Sequence, residues 1–92
     1  MGLTFEWDSR KAESNRRKHR VTFHEAASAF GDPASVTIAD PDHSEREARS
    51  ILLGRTQFDR LVVVVHVERR EVIRIISARP ATRAEQRTYE EG

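Results

Sequence analysis

Two runs of β-branched residues dominate the pattern of hydrophobic and polar positions. They cover residues 61–68 and 71–79, and the charged pair Arg69-Arg70 lies between them. β-Branched runs joined by a short polar turn predict a β-hairpin. With Arg69 and Arg70 as its loop, the two-residue period of a strand divides the side chains between two faces.

The two predicted faces of the hairpin differ in chemistry. One is apolar except for Arg74, and we expect it to pack against helices; it carries Leu61, Val63, Val65, Val67, Val72, Ile76 and Ala78. The other combines aliphatic residues with His66, Glu68 and Arg79. Because an acid, a base and a cation then share rigid strands, this second face is a candidate reactive site.

The N-terminal half predicts a short strand and two helices. Residues 4–7 alternate, and Asp8 is placed as the N-cap of a helix over about residues 9–19. Thr22 and Glu25 have capping-box spacing before an apolar helical face that ends at Gly31. The other predicted elements are strands at 35–39 and 49–54, a polar loop at 40–47, the hairpin, and a helix from the capping box at 82–85.

This order of elements predicts one domain, residues 1–92, of the α+β class. We expect an antiparallel β-sheet meander with two N-terminal helices and one C-terminal helix, the helices packed on one face. A chain this short buries roughly 60–65% of its unfolded surface, so its margin of stability is small.

The overall charge is almost balanced, with 16 Lys and Arg against 15 Asp and Glu. A net charge of +1 is not that of a strong general nucleic-acid binder. Six basic residues and one acid nevertheless lie between Arg10 and Arg20. The absence of cysteine excludes disulfides and thiolate zinc sites and fits a reducing cytoplasm. With no long apolar run and no apolar signal segment, we expect no membrane association.

The candidate chemistry on the polar hairpin face is metal-free RNA cleavage. His66 can transfer protons and Arg79 can stabilise charge on a phosphate, while the 2′-hydroxyl of RNA supplies the nucleophile. The alternative is that His66 and Glu68 are simply solvated, as most charged residues are. On the first helix, Lys11, Asn15 and Lys18 form one stripe, which either grips a phosphate backbone or is a solvated face.

Tyr89 and the four histidines are further candidates for chemistry. Tyr89 either contacts RNA or anchors the last helix. Among the four histidines only His43 has carboxylates nearby, so the sequence predicts no metal site and no cofactor. The chain has no phosphate-binding glycine loop and no G-x-S-x-G elbow, which excludes nucleotide hydrolysis and serine esterase chemistry.

Motifs along nearly the whole chain, from Phe5 to about Tyr89, resemble the BrnT ribonuclease toxins of type II toxin–antitoxin pairs. The resemblance is carried by Phe5-Glu6-Trp7-Asp8, Lys11, Asn15, Lys18-His19, Val21-x-Phe23-x-Glu25-Ala26, Asp40-Pro41-Asp42-His43-Ser44 and the strand Ile73-Arg74-Ile75-Ile76-Ser77-Ala78-Arg79. One departure is Arg20, where members commonly have a glycine, so Arg20 must adopt a left-handed conformation or end the helix differently.

The resemblance implies a RelE-like fold and a ribonuclease that shuts down translation. It also implies a BrnA-type antitoxin partner that represses the shared operon, so that DNA is contacted only through the antitoxin. The positions shared with the family are Lys11, Asn15, Lys18, His19, Arg79, Glu85 and Tyr89. Similarity to such toxins points to Arg79 and Tyr89 as catalytic, and the face argument adds His66. Lys11, Asn15, Lys18 and His19 are predicted to bind RNA.

Two other functions stay open from the sequence. The first is a non-catalytic module that pairs with an antitoxin and tunes transcription. The second is direct DNA binding, against which the near-zero net charge and the lack of a helix-turn-helix signal count.

Overall fold

The computed structural model describes residues 2–40 and 48–92. Its elements in chain order are β1 (Thr4–Glu6), α1 (Ser9–His19), α2 (Phe23–Ser28), a 3₁₀ turn (Ala29–Gly31), β2 (Val36–Ala39), β3 (Ser50–Arg55), β4 (Leu61–Arg69), β5 (Val72–Pro80) and α3 (Arg83–Glu91). The predicted loop at 40–47, with His43, lies beyond Asp40 outside the described residues. In the described part, no helix is long and apolar enough to cross a membrane.

The five strands form one mixed sheet in the order β1-β5-β4-β3-β2. The predicted antiparallel meander is confirmed for β2 to β5. The prediction of a purely antiparallel sheet is wrong, because β1 pairs in parallel with residues 72–74 of β5. A pairing between strands that are far apart in the chain produces no periodic pattern from which the sequence could predict it.

Both ends of α1 follow from local hydrogen bonding. The Asp8 carboxylate accepts hydrogen bonds from the N–H groups of Arg10 (2.8 Å) and Lys11 (3.2 Å), which confirms the predicted N-cap. The helix ends at Arg20, which has φ 59° and ψ 32° and is therefore left-handed. The structure thus keeps at Arg20 the conformation that glycine adopts most easily.

The cap of α2 is only half of the predicted capping box. Thr22 Oγ1 accepts a hydrogen bond from Glu25 N at 3.0 Å, as expected. The Glu25 carboxylate does not return to Thr22 but binds Thr56 and Arg60. At the start of α3, in contrast, both halves of the predicted box are present.

Helices cover both faces of the sheet, so the prediction of helices on one face is wrong. The helix-pair face, which packs against α1 and α2, is lined by Val62, Val64, Ile75 and their neighbours. The α3 face, on the other side, carries a smaller cluster of Leu53, Leu61 and Val63. Alternation could not identify a single core face, because residues 61–65 are all aliphatic. A continuous aliphatic run is typical of a strand that is buried on both faces.

A β-bulge in the hairpin determines which polar side chains share a face. Val65 pairs with Ser77 whereas His66 pairs with Ile75, so Ile76 has no partner in β4. The loop itself falls at Arg70 and Glu71, one residue later than predicted. An extra residue shifts the alternation of one strand against its neighbour. Beyond the bulge, Arg79 pairs with Val63 and therefore lies on the α3 face.

The outer edge of β5 beyond β1 is closed by a side chain. Asn15 of α1 is 7% exposed and its amide bonds the backbone of Ala78 twice, donating to the carbonyl (2.8 Å) and accepting from the N–H (3.1 Å). Its second amide hydrogen goes to the Val21 carbonyl at 3.0 Å. The amide thus takes the place of a neighbouring strand and fixes α1 against β5.

We expect Asn15→Ala to lower the free energy of unfolding by about 2 kcal/mol, because it leaves buried groups of Ala78 without partners. Urea denaturation at neutral pH measures the change. Ser14→Ala, at the exposed neighbouring position, is the control and should shift stability by less than about 0.5 kcal/mol. Equal effects of the two substitutions would contradict the role given to Asn15.

Candidate nucleic-acid interface

A groove of about 210 Å³ runs between α1 and β5. Its lining combines polar and cationic groups of the helix with the bulge of the strand: Lys11, Ser14, Asn15, Lys18, His19, Ile76 and Ser77. The four residues predicted to bind RNA, Lys11, Asn15, Lys18 and His19, thus all line this groove. The lining contains no carboxylate.

The cations of this groove are not neutralised by α1 itself. Lys11 and Lys18 are exposed and form no ion pair within the described residues. The hydrogen bond from the Lys11 N–H lowers the pKa of Asp8 at the N-cap, and the nearby charge of Lys11 contributes to that shift. The single acid of α1, Glu13, binds Arg16 (2.7 Å) and Arg17 (3.6 Å). The bond to Arg16 lowers the pKa of Glu13. The groove therefore presents net positive charge, which suits a phosphate backbone.

His19 adds a group that can exchange protons to the groove. It is half-buried on the last turn of α1 and lies next to Lys18. An imidazole gives and takes protons near neutral pH. The positive charges of this last turn also complement the negative end of the helix dipole.

Asn15 lines the groove but is not available to RNA. All three of its amide hydrogen bonds go to backbone groups of Val21 and Ala78. These bonds and its 7% exposure favour a structural role for Asn15 over the predicted contact with RNA. The predicted helical spacing of Asn15 from Lys11 and Lys18 is confirmed. The hydrogen bonds of its amide to Ala78 in β5 have no signal in the sequence.

The structure does not bring His66 and Arg79 together. His66 is fully buried on the helix-pair face, with its ring against Phe30 at 4.8 Å between centroids. Its Nε2 lies 3.1 Å from the exposed Glu68 carboxylate. The bulge sends Arg79 to the other face, so the prediction of one shared reactive face is wrong.

Arg79 forms a two-pronged ion pair with Glu85 of α3. Both guanidinium-to-carboxylate distances are 2.9 Å, and the same carboxylate accepts the Thr82 N–H at 2.8 Å. The Arg79 guanidinium is the main reason that the pKa of Glu85 falls to about 2. This geometry fastens α3 to the end of β5.

Tyr89 fastens the same helix at its other end. Its hydroxyl donates to the Asp32 carboxylate at 2.6 Å, a bond that raises the pKa of Tyr89. The Arg55 guanidinium lies 5.3 Å from the centre of its ring. These contacts favour the anchoring interpretation of Tyr89 over direct contact with RNA.

A partly buried ion pair between α2 and the β3–β4 turn is not predicted by the sequence. Glu25 is 4% exposed and binds Arg60, with Nε at 2.8 Å, and the hydroxyl of Thr56 at 2.8 Å. The bond from Arg60 is the main cause that lowers the pKa of Glu25. The sequence gives no separate signal for this pair, because capping-box spacing already accounts for Glu25.

A second groove, of about 250 Å³, opens on the α3 face. It is apolar and is lined by Val36, Ile38, Ile51, Leu53 and Val63, with Glu85 and Thr88 at its border. Ile38 is 57% exposed. Such a surface suits a protein partner better than a polyanion.

The Arg79–Glu85 pair predicts a stability effect that depends on pH. Because the folded-state pKa of Glu85 is depressed, its contribution is complete above about pH 4.5 and is lost as the pH falls towards 2. The pair is partly solvated, so we expect Glu85→Gln to cost about 1 kcal/mol at pH 7 and almost nothing at pH 2. Urea unfolding at both pH values, with exposed Glu90→Gln as control, measures this. An equal cost at both pH values would refute it.

Comparison with known proteins agrees with this architecture. A family model described as "Ribonuclease toxin, BrnT, of type II toxin-antitoxin system" matches residues 7–85. The crystal structure of the Brucella abortus ribonuclease toxin BrnT superposes with a TM-score of 0.64 at 18% identity, covering 88% of this chain and 99% of that one. No curated protein matches. On the family match over most of its length, the chain belongs to the BrnT ribonuclease toxins of type II toxin–antitoxin systems.

Proposed function

We propose that this protein is an endoribonuclease that cleaves RNA without a metal ion, with the groove between α1 and β5 as its substrate site. The observation that carries the proposal is that Lys11, Lys18 and His19 line one groove without an acid. RNA brings its own nucleophile, so a protein need only position the phosphate, move protons and stabilise developing charge.

In the proposed reaction the 2′-oxygen forms a bond to the adjacent phosphorus and the bond to the 5′-oxygen breaks. This leaves a cyclic phosphate on one product and a hydroxyl on the other. His19 takes the proton from the 2′-hydroxyl, and the leaving 5′-oxygen takes up a proton from water. Lys11 and Lys18 hold the phosphate and stabilise its additional negative charge.

The proposal replaces His66 with His19, because a fully buried imidazole on the helix-pair face has no access to substrate. A direct contact of Arg79 and Tyr89 with the substrate is supported only by the family resemblance. Their bonds to Glu85 and Asp32 favour the role of holding α3.

The location, cellular effect and partners proposed for this protein are those that its resemblance to the BrnT family implies. The toxin acts in the cytoplasm, inhibits translation and is a variant of the RelE-like fold. A BrnA-type antitoxin neutralises it and carries the DNA-binding function, and no membrane is involved. The clustered positive charge of α1 supports RNA as the direct partner.

Single-turnover cleavage of a model RNA in the presence of a chelator tests the chemistry. We expect His19→Ala to slow cleavage on the order of 100-fold, the usual effect of removing a proton-transfer group. Lys11→Ala should mainly weaken RNA binding and flatten its salt dependence. The control is His24→Ala, an exposed histidine on α2 outside the groove.

Two results would contradict this proposal. One is cleavage by His19→Ala at the wild-type rate. The other is activity that disappears in chelator and returns with a divalent ion.

The apolar groove favours a second candidate function, a non-catalytic module that binds the antitoxin. Exposed aliphatic side chains at Val36 and Ile38 support a protein contact there. We expect Ile38→Asp to weaken antitoxin binding at least tenfold in a calorimetric titration, because it places a charge in an apolar interface. Leu3→Asp, at a similarly exposed position on the first residues, is the control.

The two candidate functions separate when both experiments are combined. Antitoxin binding by a wild-type protein that cuts no RNA would establish the second alone. Unchanged antitoxin binding by Ile38→Asp would exclude the apolar groove as the contact.

A further inference from the structure

Phe58 is the most exposed large hydrophobic residue of the described chain, with 66% of its surface accessible. It occupies a central position of the β3–β4 turn, since the Asp59 N–H donates to the Thr56 carbonyl at 2.9 Å. Glycine, asparagine, aspartate and serine are the residues that turns prefer there. The turn therefore gives no local reason for a phenyl ring.

The backbone beneath this ring is held firmly. Thr56 Oγ1 accepts the Phe58 N–H (3.2 Å) and donates to the buried Glu25 carboxylate (2.8 Å). The Gln57 N–H donates to Ser28 Oγ of α2 at 2.9 Å. A ring presented on a fixed turn loses little conformational freedom when it binds a ligand, so its contact contributes more to affinity.

A line of basic residues connects this turn to the groove between α1 and β5. Lys18 and His19 of the groove are followed by Arg20, whose carbonyl accepts a hydrogen bond from Arg60 Nη2 at 2.8 Å. Arg60 closes the same turn, two residues after Phe58. Arg20 is exposed and forms no ion pair within the described residues.

The charge beside the ring is balanced by nearby acids. Arg60 is paired with Glu25 and its side chain stays 42% exposed. Arg55 contacts Asp59 at 3.5 Å. Along that line of basic residues, the cations without an ion pair within the described residues thus belong to α1 and to Arg20, and Arg60 joins the turn to that end of the helix.

We propose that Phe58 is a base-stacking platform that positions single-stranded RNA extending from the groove, a role that rests on the proposed ribonuclease function. Every base has a π-face, so an open aromatic ring on a fixed turn binds unpaired bases with little sequence preference. A protein hot spot would instead be expected in a pocket from which its rim excludes water. Phe58 stands free at the tip of a turn.

Binding of a fluorescent 2′-O-methyl oligoribonucleotide, which lacks the attacking hydroxyl and is not cut, tests this proposal. By anisotropy, we expect Phe58→Ala and Phe58→Leu to weaken binding about tenfold, the effect of losing one stacked base. Phe58→Trp should retain wild-type affinity. Leu3→Ala, an exposed aliphatic position before β1 that lines neither groove, is the matched control and should change nothing.

The outcomes separate this inference from the function on which it rests. Wild-type affinity in Phe58→Ala, or in Phe58→Leu, would overturn the stacking role while leaving the groove intact. Antitoxin binding weakened by Phe58→Ala with RNA binding unchanged would also overturn it, in favour of a protein contact. A wild-type protein that binds no RNA, or Lys18→Glu with unchanged affinity, would overturn the proposed function and the stacking role together.

Discussion

The position of α1, and of the groove beside it, depends on the amide of Asn15. Ala12 is the only aliphatic residue of this helix, so apolar burial can do little to hold it. The amide instead completes the hydrogen bonding of Ala78 at the open edge of β5. Lys11 and Lys18 lie one turn to either side of Asn15. The bonds of Asn15 to Ala78 therefore also hold both lysines beside the bulge of β5.

The bulge is the second constraint that decides where chemistry can occur. One unpaired residue, Ile76, reverses the alternation of β5, so that His66 and Arg79 lie on opposite faces of the sheet. His66 then packs against Phe30, and Arg79 pairs with Glu85. On an ideal hairpin, His66 and Arg79 could share a reactive face. In this structure they contact the helical layers instead, and the exposed cations lie on α1.

The partly buried Glu25–Arg60 pair joins three separate parts of the chain. It connects α2 to the β3–β4 turn, and through the Arg20 carbonyl it reaches the left-handed end of α1. Glu25 is the buried member of the pair, so loss of Arg60 would leave its carboxylate without a compensating charge. The turn that carries Phe58 and the end of the helix that carries Lys18 are therefore linked through the side chain of Arg60.

Local signals in the sequence determined the helix boundaries, because they depend on hydrogen bonds between near neighbours. Asp8, Thr22 and Thr82 each begin a helix as predicted, and helical spacing alone placed Lys11 and Lys18 on one stripe. Tertiary structure decided the parallel pairing of β1, the face covered by α3, and the bulge. These features depend on contacts between distant segments of the chain. The continuous aliphatic run at 61–65 does not show which of its residues face the helix pair and which face α3. For the same reason the spacing of the polar residues could suggest a catalytic set, but only the packed sheet decided which of them stay open to a substrate.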